Sequence, residues 1–393
     1  MKSNRFIPLS VPNLTGKELQ YVTQVIEEQW VSTAGSSITQ FEAKLAKYVG
    51  VEEACACQSG TAGLHLCLVH FGITDGDIVL VPTLTFIATI NAIMYQRATP
   101  VFFDCDDNLC INVEQIKKYI ENDCTYDGKV LRQKSSNQVI KAIIPVHIFG
   151  DTCQMDSIME IAKKYNLVVI EDATESLGTK FSNGRFQDMY TGTVGDAGVF
   201  SFNGNKIITT GGGGMVVSKD NKLIEHIKYL SQQSKDDTLY FIHNEVGYNY
   251  RMTNVQAALG IAQLERLDEF IKIKHENYNL YCELLNDCKL GTMIKFSCGN
   301  NANYWFYSFC LKEENADIRD AMLKYLESNG IQARPIWTLN HKQKPFAECH
   351  VLSTDIAENY YNRILNIPCS SNLTSEDIHS VCTAIMDFAK QYN

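Results

Sequence analysis

The sequence predicts an α/β fold: a mostly parallel sheet in a large first domain, followed by a smaller C-terminal α/β domain. Three observations carry this. Apolar runs of strand length alternate with stretches of helical periodicity through the first half of the chain. At 393 residues the chain is longer than a single hydrophobic core usually serves. A separate aromatic-rich run, Tyr304-Trp-Phe-Tyr-Ser-Phe-Cys-Leu311, reads as a strand far from the first set.

In chain order, Cys55-Ala-Cys57 alternates within a strand. Ile78-Val-Leu-Val-Pro82, Pro100-Val-Phe-Phe-Asp104, Ala142-Ile-Ile-Pro-Val146 and Leu167-Val-Val-Ile-Glu171 are continuous apolar runs, as expected of strands covered on both faces. The spacing of Met155 to Tyr165 predicts the crossover helix between the last two. Residues 122–137 are polar and contain Tyr126-Asp-Gly128, which predicts a loop or surface excursion. From Asn254 to about Tyr278, Val255, Ala258, Leu259, Ala262 and Leu267 fall near one face, predicting one long helix. The expected division is residues 1–253 for the large domain and 254–393 for that helix and the small domain.

Composition narrows the function. Hydrophobic residues make up 45% and charged residues 20%, ordinary for a globular protein. A net charge of −10 with no evident basic face argues against a nucleic-acid partner, although a local basic pocket could still take an anionic substrate. The 14 cysteines are scattered without a C-x-x-C pair, and the nine histidines lack metal-ligand spacing. Buried reduced thiols and no metal are therefore expected. With no signal peptide and no apolar run of bilayer length, a cytoplasmic location is expected and no membrane association.

The chemistry concentrates around Lys206. An apolar strand, Ala197-Gly-Val-Phe-Ser201, runs into a polar turn with one lysine, then Gly211 to Gly214, then a second short strand from Met215. Upstream, Leu167-Val-Val-Ile-Glu-Asp172 is a strand ending in two acids. A lysine on a Gly-rich turn and an Asp at a strand end are the pair that a pyridoxal 5'-phosphate (PLP) enzyme needs. The lysine carries the cofactor covalently and the carboxylate keeps its ring nitrogen protonated. Taken alone, Lys206 would read as a solvated lysine and Asp172 as a turn or cap residue. Glu171 should point to the opposite side of its strand and is read as structural. Ser59-Gly-Thr-Ala62 precedes an apolar helix, and backbone amides at such a start attract an anion.

Four ordered blocks resemble the DegT/DnrJ/EryC1/StrS sugar aminotransferases. They are Ser59-Gly-Thr-Ala62, Glu171-Asp-Ala-Thr-Glu-Ser-Leu-Gly178, Ser201-Phe-Asn-Gly-Asn-Lys206 and Gly247-Tyr-Asn-Tyr-Arg-Met-Thr-Asn-Val-Gln-Ala-Ala-Leu-Gly260. The resemblance covers nearly the whole chain and implies the fold type I architecture of PLP-dependent aminotransferases. Ile7-Pro-Leu-Ser-Val-Pro-Asn13 and Asn203-Gly-Asn-Lys-Ile-Ile-Thr-Thr210 look most like a subgroup that aminates C4 of UDP-linked 4-keto-6-deoxy-hexosamines, as in legionaminic-type pathways. GDP- or dTDP-linked sugars are the alternatives, since no base-reading motif is evident. The donor so implied is L-glutamate, and the assembly a homodimer with composite sites.

The resemblance also implies site residues. Lys206 is the catalytic lysine. Thr61, Ala62 and Ser201 take the cofactor phosphate, Phe86 stacks on its ring and Asp172 meets its nitrogen. Glu175 stands where relatives have Gln or His at the cofactor hydroxyl; as a carboxylate it must be protonated there or turn away. Asn249 aligns with a residue that reaches the partner's phosphate site, the competing reading being an exposed turn. Arg334 is read as substrate-binding, against a surface ion pair. His147 is read as lining the substrate site, against a hydrogen-bonded structural histidine. Two further readings of the same fold are a sugar dehydratase, in which His typically replaces the lysine, and a non-catalytic PLP-binding regulator.

Overall fold

The computed structural model describes residues 5–237 and 239–392. Strands β1 (Glu53–Cys57), β2 (Asp77–Pro82), β3 (Thr99–Phe103), β4 (Cys124–Tyr126), β5 (Leu131–Gln133), β6 (Val139–Ile143), β7 (Val168–Asp172), β8 (Ala197–Ser201) and β9 (Gly214–Ser218) form a nine-stranded mixed sheet. Its main order is β1-β9-β8-β7-β6-β2-β3. The stretch from β8 to β3 is parallel, whereas β9 runs antiparallel to both β8 and β1. A second sheet holds β10 (Gly291–Met293), β11 (Tyr307–Leu311), β12 (Arg334–Pro335) and β13 (Ile364–Ile367), in the antiparallel order β10-β11-β13-β12.

Strand periodicity sorts the core of the first sheet into two layers. Cys55, Cys57 and Val216 face one layer, under the helices Gly60–His70, Ile87–Tyr95 and Asn221–Ser231. Ala54, Ala56, Met215 and Val217 face the other, under Ser36–Val49 and Asn254–Leu264. A third cluster runs from Leu80, Val101 and Ile143 to Tyr307, Phe309 and Leu365, so the two sheets share a continuous core. All strands of the first sheet precede residue 254 and all strands of the second follow it. Residues 7–11 nonetheless dock beside the second sheet: Ile7 bridges to Ile331, Leu9 O accepts from Cys369 N, and Val11 N donates to Ser370 Oγ.

Three expectations need correction. The stretch 122–137 contains a hairpin, β4 and β5, whose second strand pairs antiparallel with β6. Its strands are three residues long and mostly polar, too short for a periodicity to register. The long helix is two, Asn254–Leu264 and Leu267–Leu284. Arg266, at φ −115° and ψ 4°, leaves the helical region between them without any Gly or Pro. Finally, the second-sheet strand starts at Tyr307, because Tyr304 takes φ 55° and interrupts the extended backbone. The crossover helix Met155–Tyr165 has the bounds the spacing predicts. Among the described residues no helix is long and apolar enough to cross a membrane, and no group of three or more His, Cys, Asp or Glu is arranged to hold a metal.

Candidate active site

Because β1 runs parallel to β8 through their shared antiparallel neighbour, the carboxyl ends of β1, β2, β7 and β8 lie on one side of the sheet. That is where open α/β sheets bind ligands. A cavity of about 270 Å³ sits there, walled by Ser59, Gly60 and Thr61 after β1, Thr85 and Phe86 after β2, Asp172 and Glu175 from β7 onward, and Ser201 and Lys206 from β8 onward. Trp305, Phe306 and Trp337 close it from the C-terminal part.

The anionic-ligand end is built from backbone. Ser59 is the N-cap of the helix Gly60–His70, and its Oγ accepts the Ala62 N–H at 3.0 Å. The amides of Gly60 and Thr61, first in that helix, have no carbonyl one turn back to bond. They face the cavity from the positive end of the helix dipole. The turn is held by close contacts: a Cβ on Gly60 would lie 2.9 Å from Thr174 Cγ2, and one on Gly214 would lie 2.6 Å from Gly60 N. Larger residues at either position would push the amides and Ser201 apart. Ala62 itself is buried, its N–H taken by Ser59, and it is not on the cavity wall.

Asp172 closes β7 with 3% of its surface exposed. Its Oδ2 accepts from Thr89 Oγ1 at 2.6 Å and its Oδ1 from Thr174 N at 3.1 Å, both donors suited to a carboxylate. Phe86 stands just before the helix Ile87–Tyr95, 52% exposed, its ring centroid 5.8 Å from that of Trp337. A bare aromatic ring at the mouth of a cavity is a surface awaiting a ligand face.

Lys206 lies on the turn between β8 and β9, its side chain 11% exposed. Its Nζ is 3.8 Å from Glu175 Oε1 and 3.7 Å from the centroid of the Trp305 ring. Trp305 Nε1–H in turn donates to Asn205 O at 2.7 Å, tying the lysine turn to the second sheet's side. Burial pulls the Lys206 amine below its ordinary value, against the attraction of Glu175 and Asp172. Burial likewise pushes the Glu175 carboxyl above the usual carboxylate range, against the pull of Lys206 and of the Phe149 N–H, which donates to Oε2 at 2.7 Å. Each shift runs toward the uncharged form, and the neutral amine is the form that acts as nucleophile.

The cavity therefore gathers Thr61, Phe86, Asp172, Glu175, Ser201 and Lys206. Besides Ala62, three sequence-derived candidates lie off its wall. His147 is a correction: it is fully enclosed, its Nε2 2.8 Å from Glu171 Oε2 and its Nδ1 accepting the Cys153 N–H at 3.2 Å, so it has no surface to offer a substrate. Arg334 is exposed on β12, with Nη1 3.3 Å from Ala333 O, while Trp337 three residues on reaches the cavity. Asn249 is exposed and bridges to Gln232. Sequence reasoning missed Thr89, Trp305, Phe306 and Trp337. Only the consecutive aromatics Trp305 and Phe306 offered a signal, and they read equally well as strand core.

The donor set fits PLP: a lysine amine, a hydrogen-bonded carboxylate, an open aromatic face and free amides converge on one cavity. Comparisons with known proteins agree. The description of the DegT/DnrJ/EryC1/StrS aminotransferase family matches residues 12–386. The chain is 38% identical to the GDP-perosamine synthase of Escherichia coli O157:H7 over 386 residues, covering 98% of this chain and 99% of that one. It is 30% identical over 379 residues to the UDP-4-amino-4,6-dideoxy-N-acetyl-beta-L-altrosamine transaminase of Campylobacter jejuni (serotype O:23/36, strain 81-176), covering 94% of each. A crystal structure of a DegT DnrJ EryC1 StrS aminotransferase from Brucella abortus superimposes with a TM-score of 0.85 at 28% identity, covering 95% of both chains. With a family match over nearly its full length, this chain belongs to the DegT/DnrJ/EryC1/StrS family and is a PLP-dependent sugar aminotransferase.

Proposed function

We propose that the enzyme moves an amino group from L-glutamate to C4 of a nucleotide-linked 4-keto-6-deoxy hexose. The observation that carries this reading is the convergence of Lys206, Asp172 and the helix-start amides of Gly60 and Thr61 on one cavity. When bound, PLP supplies an electron sink for the carbon that loses its proton. The chain does the rest. The Gly60 and Thr61 amides and the Ser201 hydroxyl hold the phosphate, and the Phe86 ring covers one face. Asp172, fixed by Thr89 and Thr174, holds a proton on the ring nitrogen. Lys206 would hold the cofactor through its Nζ, and the same amine is placed to take up and return a proton. Glu175 accepts or returns a proton at Lys206 Nζ, and Trp305 shields that amine from water.

The sequence favours UDP as the acceptor's nucleotide. The greater identity to a GDP-perosamine synthase, 38% against 30% for the UDP-sugar transaminase, supports GDP as the first sugar to test. The UDP-linked hexosamine stays as the second reading because of the 7–13 and 203–210 segments. Incubating the PLP-loaded enzyme with glutamate and each of the GDP-, UDP- and dTDP-linked 4-keto-6-deoxy sugars, then identifying products by mass, decides among them. Amination of the GDP sugar at the highest kcat/KM is expected; amination of none would sink the proposal.

Asn249 lies away from its own chain's cavity, in an excursion that exposes Leu239, Tyr240, Phe241, Ile242 and Val246. Contiguous exposed apolar side chains mark an interaction surface. We therefore place Asn249 in the partner's phosphate site, within a two-fold homodimer. Neither Lys206→Ala nor Asn249→Ala alone should be active, but mixed dimers should recover part of the activity, because one site then pairs an intact lysine with an intact asparagine. No recovery from verified heterodimers would contradict the composite site.

A further inference from the structure

Asn340 is buried shortly after β12, and its side chain serves the backbone of a distant part of the chain. Its Nδ2 donates to Thr83 O at 3.1 Å and to Thr85 O at 2.7 Å, and its backbone N–H also donates to Thr83 O, at 2.9 Å. The next residue, His341, sets Nδ1 2.7 Å from Thr83 Oγ1. Residues 83–86 have by then left the sheet, since β2 ends at Pro82. Asn340 thus supplies the donors that a neighbouring strand would otherwise give. The amide fits in one orientation. Both groups it faces are carbonyls, so both must be met by the NH2, one hydrogen each. Its Oδ1 is left buried with no partner among the described residues, which costs stability. A leucine would avoid that cost. A buried amide kept with its acceptor unused points to the donors that are used.

The segment so held leads to Asp172. Thr85 Oγ1 lies 3.3 Å from Thr89 Oγ1 and 3.4 Å from Phe86 O, and Thr89 Oγ1 donates to Asp172 Oδ2 at 2.6 Å. With the Thr89 proton on the carboxylate, the Thr85 hydroxyl is the donor between the two threonines. Both bonds then run toward Asp172, and each polarises the next. Phe86, between the threonines, lines the cavity opposite Trp337, which belongs to the same segment as Asn340. Thr83, Thr85, Thr89 and Asn340 are each at most 1% exposed, so bulk water offers no substitute for a broken link.

We propose that Asn340 is a positioning residue for the aminotransferase: by fixing the Thr83 and Thr85 carbonyls it sets the two hydroxyls that orient the Asp172 carboxylate. The inference rests on the role of Asp172 proposed above. Asn340 is not on the cavity wall and makes no hydrogen bond to Asp172, so it acts only through these links. The orientation of Asp172 then depends on the docking of the C-terminal part as well as on β7.

Asn340→Leu keeps the bulk and removes both side-chain donors; should it not fold, Asn340→Ser removes the same donors without crowding. The first readout needs no cofactor. Hydrogen–deuterium exchange of the cofactor-free variant should speed up in peptides spanning 83–90 and 172–176, which hold the Thr89 and Thr174 N–H groups. Faster exchange confined to 337–346 overturns the proposal. With PLP bound, kcat with glutamate should fall about tenfold, less than the ~100-fold that a full ångström of misplacement costs. The glutamate KM should stay within about twofold. Thr89→Val should absorb the effect, so that the double variant loses about as much as Thr89→Val alone. Losses that multiply, or a raised KM at unchanged kcat, overturn the proposal as well. Asp172→Asn, measured alongside, separates the two readings. Near-normal turnover there refutes the role of Asp172, while the exchange pattern of the cofactor-free protein still judges Asn340.

Discussion

Lys206→Ala should abolish transamination while the protein stays folded and keeps the cavity. Two buried lysines could in principle carry PLP, because burial lowers the amine of Lys274 as it does that of Lys206. Lys274 donates to Cys369 O and lies over the Tyr307 ring, off the cavity wall. Among the described residues that line the cavity, Lys206 is the one lysine. Removing it takes away the anchoring nucleophile and the proton carrier together. The proton-transfer role alone is worth roughly 10²–10⁴-fold, so a loss of at least ~10⁴ in kcat is expected when both go. Folding should survive, since the substitution also removes a buried amine whose burial disfavours its charged form. Borohydride reduction of the unmodified holoenzyme, followed by peptide mapping, locates the carrier lysine. A reduced adduct on Lys274 or any other lysine would refute the assignment, as would a loss in the variant well short of ~10⁴-fold.

How much of this was readable beforehand depended on whether the signal was local. The buried strands and the crossover helix were, because each is a continuous run whose apolar period needs no partner to be seen. Lys206 and Asp172 were readable for a related reason: a strand, a glycine-rich turn and a second strand lie within one stretch of chain. The hairpin of β4 and β5 was not, because three-residue strands are stabilised by pairing with β6 rather than by their own composition. The break at Arg266 leaves no sequence mark, since Leu264 and Leu267 are both buried and suggest one continuous stripe. The cavity's far wall was hidden for a third reason. Trp305 and Trp337 approach Lys206 and Phe86 only through the docking of the second sheet, a tertiary event. His147 was misread because a histidine at a strand end looks the same whether it faces a ligand or Glu171.

Asp172→Asn should retain PLP but lose at least ~100-fold in turnover, the scale of removing one preorganised electrostatic contact. The geometry separates the two properties. In the proposed arrangement cofactor retention rests on the Gly60 and Thr61 amides, Ser201 and Lys206, none of which Asp172 supports through a hydrogen bond. In the same arrangement turnover would rest on the negative charge of Asp172, which would hold a proton on the ring nitrogen. Thr89 Oγ1–H and Thr174 N–H both donate to the carboxylate, so its two oxygens are oriented before any ligand arrives. An amide of the same shape can accept from only one of those donors, and its NH2 group must then face the other donor or the ring nitrogen. In either orientation the charge is gone, and with it the charge-assisted bond that favours a protonated ring. Thr89→Val, which removes one orienting donor and leaves the charge and the Thr174 N–H bond in place, should cost less. Single-turnover rates with glutamate, read beside the cofactor Kd, measure both variants. The ordering is the test: a near-normal rate in Asp172→Asn, or a larger loss in Thr89→Val, would mean that Asp172 orients the strand end rather than charging the ring.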